Sequence, residues 1–397
     1  MEEPSFMTPV RLSASLRMQS VQPPIIPAVA ALLRAHPKAI SLGQGVVHYA
    51  PPPHVGARMQ AGLSDPRNHS YGPGHGLPAL QQAILTKLKA QNGIHVFDAS
   101  RIVITAGSNM GFYYAVLAVA EPCDEFILPT PYYFNHEMAI TMAGCHAVPV
   151  ATDADYQLRL QLIEAAITAR TRAIVTVSPN NPTGAVYSQA VLKAINDICR
   201  AHGLYHISDE AYEAFTWNGL RHFSPGSVPG AEGHTISLFS FSKGHALAGW
   251  RVGYMVLPEH LLEQITKIQD TILISPSVAS QYAALGALEA DPAYYGENIR
   301  MIGEVRQAVL GQLGELGGRI DPPRSEGAFY VLLRVHTSEN DMTLVERLIR
   351  DYDVAVIPGS AFGIEEGCYL RIAYGALHKA TVTEGIGRLV RGLNRLV

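Results

Sequence analysis

Lys243 sits in the run Ser240-Phe241-Ser242-Lys243-Gly244-His245-Ala246-Leu247-Ala248-Gly249-Trp250-Arg251. The lysine follows a serine by three residues and precedes an arginine by eight. Its small neighbours suit a sheltered amine better than a solvated surface cation. A sheltered amine is a nucleophile that forms Schiff bases with carbonyl compounds. The hydroxyl of Ser240 and the guanidinium of Arg251 are groups that hold a phosphate. The stretch therefore points to an aldehyde that carries a phosphate tail, and above all to pyridoxal phosphate.

Three further stretches extend that chemistry. Ala106-Gly107-Ser108-Asn109-Met110 lies between a strand-like run and a helix-like one. Backbone N–H groups at a helix N-terminus bind phosphate, although an ordinary strand–glycine–helix turn reads the same way. Ser178-Pro179-Asn180-Asn181-Pro182-Thr183-Gly184 has the residue types of a plain turn. Its functional reading makes Asn181 a donor to the phenolic oxygen of a cofactor ring. In Ser208-Asp209-Glu210-Ala211-Tyr212, Asp209 is either a helix cap or a carboxylate that keeps a pyridine nitrogen protonated. Tyr212 would share the phenolic oxygen with Asn181. Tyr71-Gly72-Pro73-Gly74-His75-Gly76 is glycine-rich but matches neither a Walker loop nor GxGxxG.

The elements that must position these residues alternate along the chain. Short apolar runs at 101–105, 125–128, 145–150, 172–177, 204–208, 235–239 and 252–256 read as buried strands. Helical spacing between them covers 77–92, with Gly93 as C-cap, the segment from Gly107 to about Ala120, and the segment from Ser188. This is the pattern of a mostly parallel sheet between two helix layers, which binds ligands at its strand ends. Beyond about Pro276 come helices at 278–289 and 298–316, strands at 329–335 and 369–374, and a last helix at 379–396. They read as a smaller α+β domain. The expected division is an arm and part of the small domain at 1–50, a large domain at 51–285 and a small domain at 286–397. Residues 1–30, with Pro23, Pro24 and Pro27, read as an irregular arm.

Composition agrees with a globular enzyme. The chain has 397 residues, 48% hydrophobic and 16% charged, with a formal net charge of -4. That balance argues against nucleic-acid and membrane-surface partners. No apolar run reaches membrane-spanning length, and the N-terminus has no secretory pattern, so a cytoplasmic location is expected. Four scattered cysteines and sixteen histidines show neither a CxxC pair nor an HExxH motif, and no metal is expected.

In this order and spacing, the motifs resemble the class I/II aminotransferases, the fold-type I pyridoxal-phosphate enzymes. The likeness runs from Leu42-Gly43-Gln44-Gly45 to Tyr369-Leu370-Arg371-Ile372. It implies a large domain with a mostly parallel seven-stranded sheet and a smaller α+β domain. It implies that Lys243 binds pyridoxal phosphate covalently and moves the proton. Asp209 would pair with the pyridinium nitrogen, and Asn181 and Tyr212 with the phenolic oxygen. Ser108, Asn109, Ser240 and Arg251 would hold the phosphate. Tyr133 would stack on the ring, with His136 behind Asp209 or simply in the core. Arg371 would grip the substrate α-carboxylate, and the Gly45 backbone would lie over the substrate. Tyr71 would reach the phosphate of a neighbouring subunit, which implies a homodimer with shared active sites. Pro358-Gly359-Ser360-Ala361-Phe362-Gly363 also fits the small-domain pattern. One departure is Gln81 after Leu80, where relatives commonly carry arginine.

The implied activity moves an amino group from an amino acid to a 2-oxo acid by a ping-pong mechanism. The alternative is a related pyridoxal enzyme such as a cysteine-conjugate β-lyase. A pyridoxal-binding regulator is disfavoured, because only about forty residues precede Leu42. The arginine-free stretch 271–277, together with Val46, Val47, His48 and Tyr49, suggests a neutral, apolar or aromatic donor. The opening Leu-Gly-Gln-Gly resembles the kynurenine/glutamine and methionine branch.

Overall fold

The computed structural model describes residues 13–96 and 98–397. The strands are, in chain order, β1 (Ile40–Ser41), β2 (Ile102–Thr105), β3 (Glu125–Thr130), β4 (His146–Ala151), β5 (Thr171–Val177), β6 (Tyr205–Asp209), β7 (Thr235–Ser240), β8 (Gly253–Val256), β9 (Tyr330–Val335), β10 (Val354–Ala355), β11 (Ile357–Pro358) and β12 (Cys368–Ala373). Seven of them form one sheet in the order β2-β8-β7-β6-β5-β3-β4. Its pairs are parallel except that β8 runs against both of its neighbours.

Successive side chains of a strand point to opposite faces, so a strand between two helix layers must be apolar throughout. Val103 packs with Phe112 and Val116 of the helix Ser108–Val119, and with Phe126 and Leu128. Its neighbours Ile102 and Ile104 pack on the other face, with Leu80 and Ile84 of the helix Pro78–Lys87. Ile127 and Ile174 meet Leu192, Ile195 and Cys199 of the helix Gln189–His202. This is the expected α/β architecture, with a mostly parallel seven-stranded sheet.

The helix at 78–87 continues as a π turn over Leu88–Asn92 and stops at Gly93, which is left-handed with φ 65°. Gln81 is buried, and its Nε2 donates to the carbonyl of Ile102 at 2.7 Å. The residue that departs from the family pattern thus ties this helix to strand β2.

A second sheet, β11-β12-β9, is antiparallel. Helices Pro292–Gly314, Asp341–Tyr352 and Lys379–Leu396 share its core through Val305, Val309, Leu344, Leu348, Ile386 and Leu389. Tyr212 and Phe215 belong to the same core, so it reaches the floor of the large sheet.

Two readings from sequence need correction. Residues 1–12 of the expected arm lie outside the described residues, but the part from 13 to 30 is not irregular. It contains helices Leu16–Ser20 and Ile25–Ala35. Pro24 is the N-cap of the second helix and Pro27 lies in its first turn, where a missing N–H costs no helical bond. Val29 is buried and anchors that helix to the core. The helix expected from Asn298 begins at Pro292, because Asp291 caps it by accepting from Ala293 N at 2.8 Å.

The first residue of β8 ties the sheet to the Ser108 helix. A Cβ at Gly253 would sit 2.7 Å from the Phe239 carbonyl oxygen and 2.9 Å from Ser108 N. Both neighbours are backbone and cannot rotate away. Gly253→Ala should therefore destabilise the protein by roughly 1–3 kcal/mol, read as a lower denaturant midpoint.

Candidate active site

The C-terminal ends of β2, β3, β5, β6 and β7, with the segments that follow them, carry Ser108, Tyr133, Asn181, Asp209 and Ser240. Of the twelve site residues expected from sequence, nine line one cleft: Ser108, Asn109, Tyr133, Asn181, Asp209, Tyr212, Ser240, Lys243 and Arg251. Gly45 and Arg371 join it through hydrogen bonds. Tyr71 does not reach it in this chain and is 82% exposed. A larger groove, lined by Arg17, Glu137 and Thr141 among others, contains no lysine. Size alone therefore does not select the site.

Lys243 Nζ donates to the carbonyl of Gly45 at 2.5 Å and lies 5.5 Å from the centre of the Tyr212 ring. Burial pushes its pKa down to about 8; the charges of Arg371 and Arg251 act in the same direction and Asp209 opposes them. Tyr49 fastens the lysine loop from the other side, its hydroxyl donating to the Gly244 carbonyl at 3.2 Å.

Asp209 ends β6 and is buried. One carboxylate oxygen accepts from Ala211 N at 3.0 Å, and the other lies 3.1 Å from His136 Nε2. The His136 ring is stacked on Phe112 with centroids 3.9 Å apart. His136 is thus placed behind Asp209. The Tyr133 hydroxyl accepts from Asn135 Nδ2 at 2.8 Å.

Arg371 lies in the middle of β12, paired in register with Ile357 and Leu332. Only 2% of it is exposed. Its Nη1 donates to Asn181 Oδ1 at 3.1 Å and its Nη2 to the Gly43 carbonyl at 2.5 Å, while its buried Nε has no partner among the described residues. Tyr330 and Phe362 flank the guanidinium at 4.7 and 5.2 Å. Tyr330 also meets the Tyr212 hydroxyl at 2.7 Å. Sequence reasoning missed Tyr330, because within Phe329–Val335 it reads as one more core residue of a strand.

The cleft is chemically suited to pyridoxal phosphate. The first-turn N–H groups of Ser108 and Asn109 have no carbonyl partner within their helix. They open beside the Ser240 hydroxyl and the Arg251 guanidinium. Gly107 has φ 89°, and a Cβ there would run into that guanidinium. The result is an anion cradle, with a buried carboxylate and a half-buried amine in the same cleft.

A mostly parallel seven-stranded α/β sheet with this cleft at its strand ends defines a fold-type I pyridoxal-phosphate enzyme. The family model for aminotransferase class I and II matches residues 37–389, and the chain belongs to that family. It is a pyridoxal-phosphate-dependent aminotransferase, and enzymes of this family carry the cofactor on a lysine. Its substrates are an amino acid and a 2-oxo acid. The chain is 33% identical over 396 residues to the aromatic aminotransferase ISS1 of Arabidopsis thaliana, covering 96% of this chain and 97% of that one. It is 32% identical over 373 residues to an aspartate aminotransferase of Pyrococcus abyssi, covering 93% and 95%. The solved aspartate aminotransferase from Thermus thermophilus with maleate superposes with a TM-score of 0.89 at 30% identity, covering 96% of this chain and all of that one. Among the described residues, no helix is long and apolar enough to cross a membrane.

The lowered pKa of Lys243 sets a testable pH profile. Below about 8 the amine is protonated and inert; above it the free base reacts. Labelling of Lys243 in the apoprotein by an amine-selective acylating reagent, followed by mass spectrometry, should rise with a midpoint near pH 8 rather than above 10.

Proposed function

We propose that Lys243 is the lysine that holds pyridoxal phosphate, and that the enzyme transfers the amino group of a neutral, apolar or aromatic L-amino acid to a 2-oxo acid. The observation that carries the first part is the half-buried, desolvated Lys243 amine sharing one cleft with Asp209 and the anion cradle. When bound, the cofactor supplies an electron sink conjugated to the amino acid's α carbon.

Each residue then has a task. Ser108, Asn109, Ser240 and Arg251 hold the phosphate. Asp209, steadied by His136 at 3.1 Å, keeps a positive charge on the pyridine nitrogen. Asn181 and Tyr212 contact the phenolic oxygen, and Tyr133 packs on the ring. Arg371 gives up the Gly43 carbonyl and grips the substrate carboxylate, while the Gly45 backbone covers the substrate. With the cofactor bound, Lys243 Nζ, as a neutral amine, would take the proton from the amino acid's α carbon and hold it for return. Donor and acceptor use the same Arg371 site in turn, which gives ping-pong kinetics.

The preference for apolar or aromatic donors is supported by the 33% identical aromatic aminotransferase and by the arginine-free stretch 271–277. That stretch faces solvent in the single chain, where Ile272 and Ile274 are 44% and 42% exposed. Ser275 lies beside Gly72, next to exposed Tyr71. An apolar face of this kind supports a homodimer in which Tyr71 reaches the partner's phosphate site. We assign the arm and part of the small domain to residues 1–50, the large domain to 51–285 and the rest of the small domain to 286–397.

A donor panel with 2-oxoglutarate and pyruvate as acceptors tests the substrate. Phenylalanine, tyrosine or methionine should give the highest kcat/KM; aspartate far above them all would sink that part of the reading. Lys243→Ala should lose the visible absorbance band of the bound cofactor and fall to background turnover. Arg371→Lys should keep the band but raise KM for donor and acceptor on the order of tenfold or more, because a point charge replaces a two-pronged donor.

A further inference from the structure

Tyr330 has no task in the scheme above, yet it touches three parts of the site. It is 1% exposed, between Phe329 and Val331 in the core. A phenylalanine would fill the same space, so it is the hydroxyl that calls for a reason; buried and unpaired it would cost stability. Its partner is the Tyr212 hydroxyl at 2.7 Å. Its ring lies 4.7 Å under the Arg371 guanidinium. Its hydroxyl also lies against Gly45, where any Cβ would collide with it.

Each phenol carries one proton. If Tyr212 donates to Tyr330, none is left for the cofactor's phenolic oxygen. If Tyr330 donates, the Tyr212 proton is free for it. The guanidinium over the Tyr330 ring favours the second arrangement, because it stabilises negative charge on that phenol and makes it the stronger acid. Burial raises both pKa values, Tyr330 to about 12 and Tyr212 well above its ordinary value; Arg371 lowers both, but it is the second influence on Tyr330 and only the last on Tyr212. The stronger acid is the better donor.

We propose that Tyr330 is a positioning residue acting through Tyr212: its hydroxyl donates to Tyr212 and so directs the Tyr212 proton to the cofactor's phenolic oxygen, while its ring steadies Arg371. The inference rests on the roles given above to Tyr212 and Arg371. A hydrogen bond accepted by Tyr212 also polarises its O–H and strengthens the bond it donates. A stronger donor favours full negative charge on the phenolic oxygen. The lysine-linked nitrogen beside that oxygen then loses its proton at lower pH.

The test is a pH titration of the visible absorbance of the holoenzyme. In Tyr330→Phe the midpoint should rise by about 0.3–1 pH unit, with cofactor content retained. Tyr212→Phe should raise it further, and the double variant should match Tyr212→Phe alone, since Tyr330 acts through that residue. Tyr330→Leu should also raise KM for the amino donor, which Tyr330→Phe should leave nearly unchanged. A midpoint in Tyr330→Phe within about 0.1 unit of the parent would overturn the proposal, as would a double variant shifted beyond Tyr212→Phe. An unchanged KM in Tyr330→Leu would remove the part played by the ring. Failure of the underlying reading looks different: the visible band would survive in Lys243→Ala.

Discussion

The site depends on keeping one amine out of water. Burying a charge is costly unless it is paired, and a buried lysine answers by losing its proton. Around Lys243 the charges of Arg371 and Arg251 push in the same direction, and Asp209 pulls against them. The outcome is a lysine that is a nucleophile close to neutral pH, where an exposed one would be almost fully protonated. Much of the surrounding fold maintains that burial. The backbone of Gly45 closes over the amine, and Tyr49 pins the loop that carries it.

The antiparallel strand in the large sheet has a specific use. In an all-parallel sheet, a residue just before a strand lies at the edge opposite to one just after the preceding strand. Because β8 runs against β7, the chain turns back at the edge where β7 ends, and Ser240 pairs in register with Gly253. Ser240, Lys243 and Arg251 thus all stay at one edge. Arg251 sits in the turn with φ 52°, its Nη1 donating to the Ala248 carbonyl at 3.0 Å. The same edge receives the glycine-led N-terminus of the Ser108 helix, and the two together make the anion cradle.

The smaller sheet contributes differently. Arg371 projects from a buried strand toward a loop of the large sheet, and its bond to Asn181 joins the two layers. Its other bond, to the Gly43 carbonyl, brings in the N-terminal segment. In the proposed role of Arg371 a substrate carboxylate would compete for these donors; the packing of three distant chain segments meets at one guanidinium. Tyr330 adds a fourth segment, joining that guanidinium to Tyr212.

Much of this was legible in the sequence because it is local. The seven strands follow from apolar runs of four to six residues, although β4, at the sheet edge, is largely exposed rather than buried, and Gly93 ends its helix because a left-handed residue is needed there. Lys243, Ser240 and Arg251 could be read together because they fall within twelve residues of chain, and four of the seven residues between the lysine and the arginine are glycine or alanine. The N-terminal helix Ile25–Ala35 was hidden by its prolines, which mark a helix start as readily as an irregular arm. The bonds of Arg371 to Asn181 and Gly43 span 190 and 328 residues, and no periodicity encodes such contacts. The sequence alone determined which groups the chemistry has and which of them lie at strand ends. Only the tertiary structure decided that a strand tyrosine meets Tyr212 and that the lysine amine is buried among charges, because desolvation and hydroxyl pairing depend on neighbours that folding brings from far along the chain.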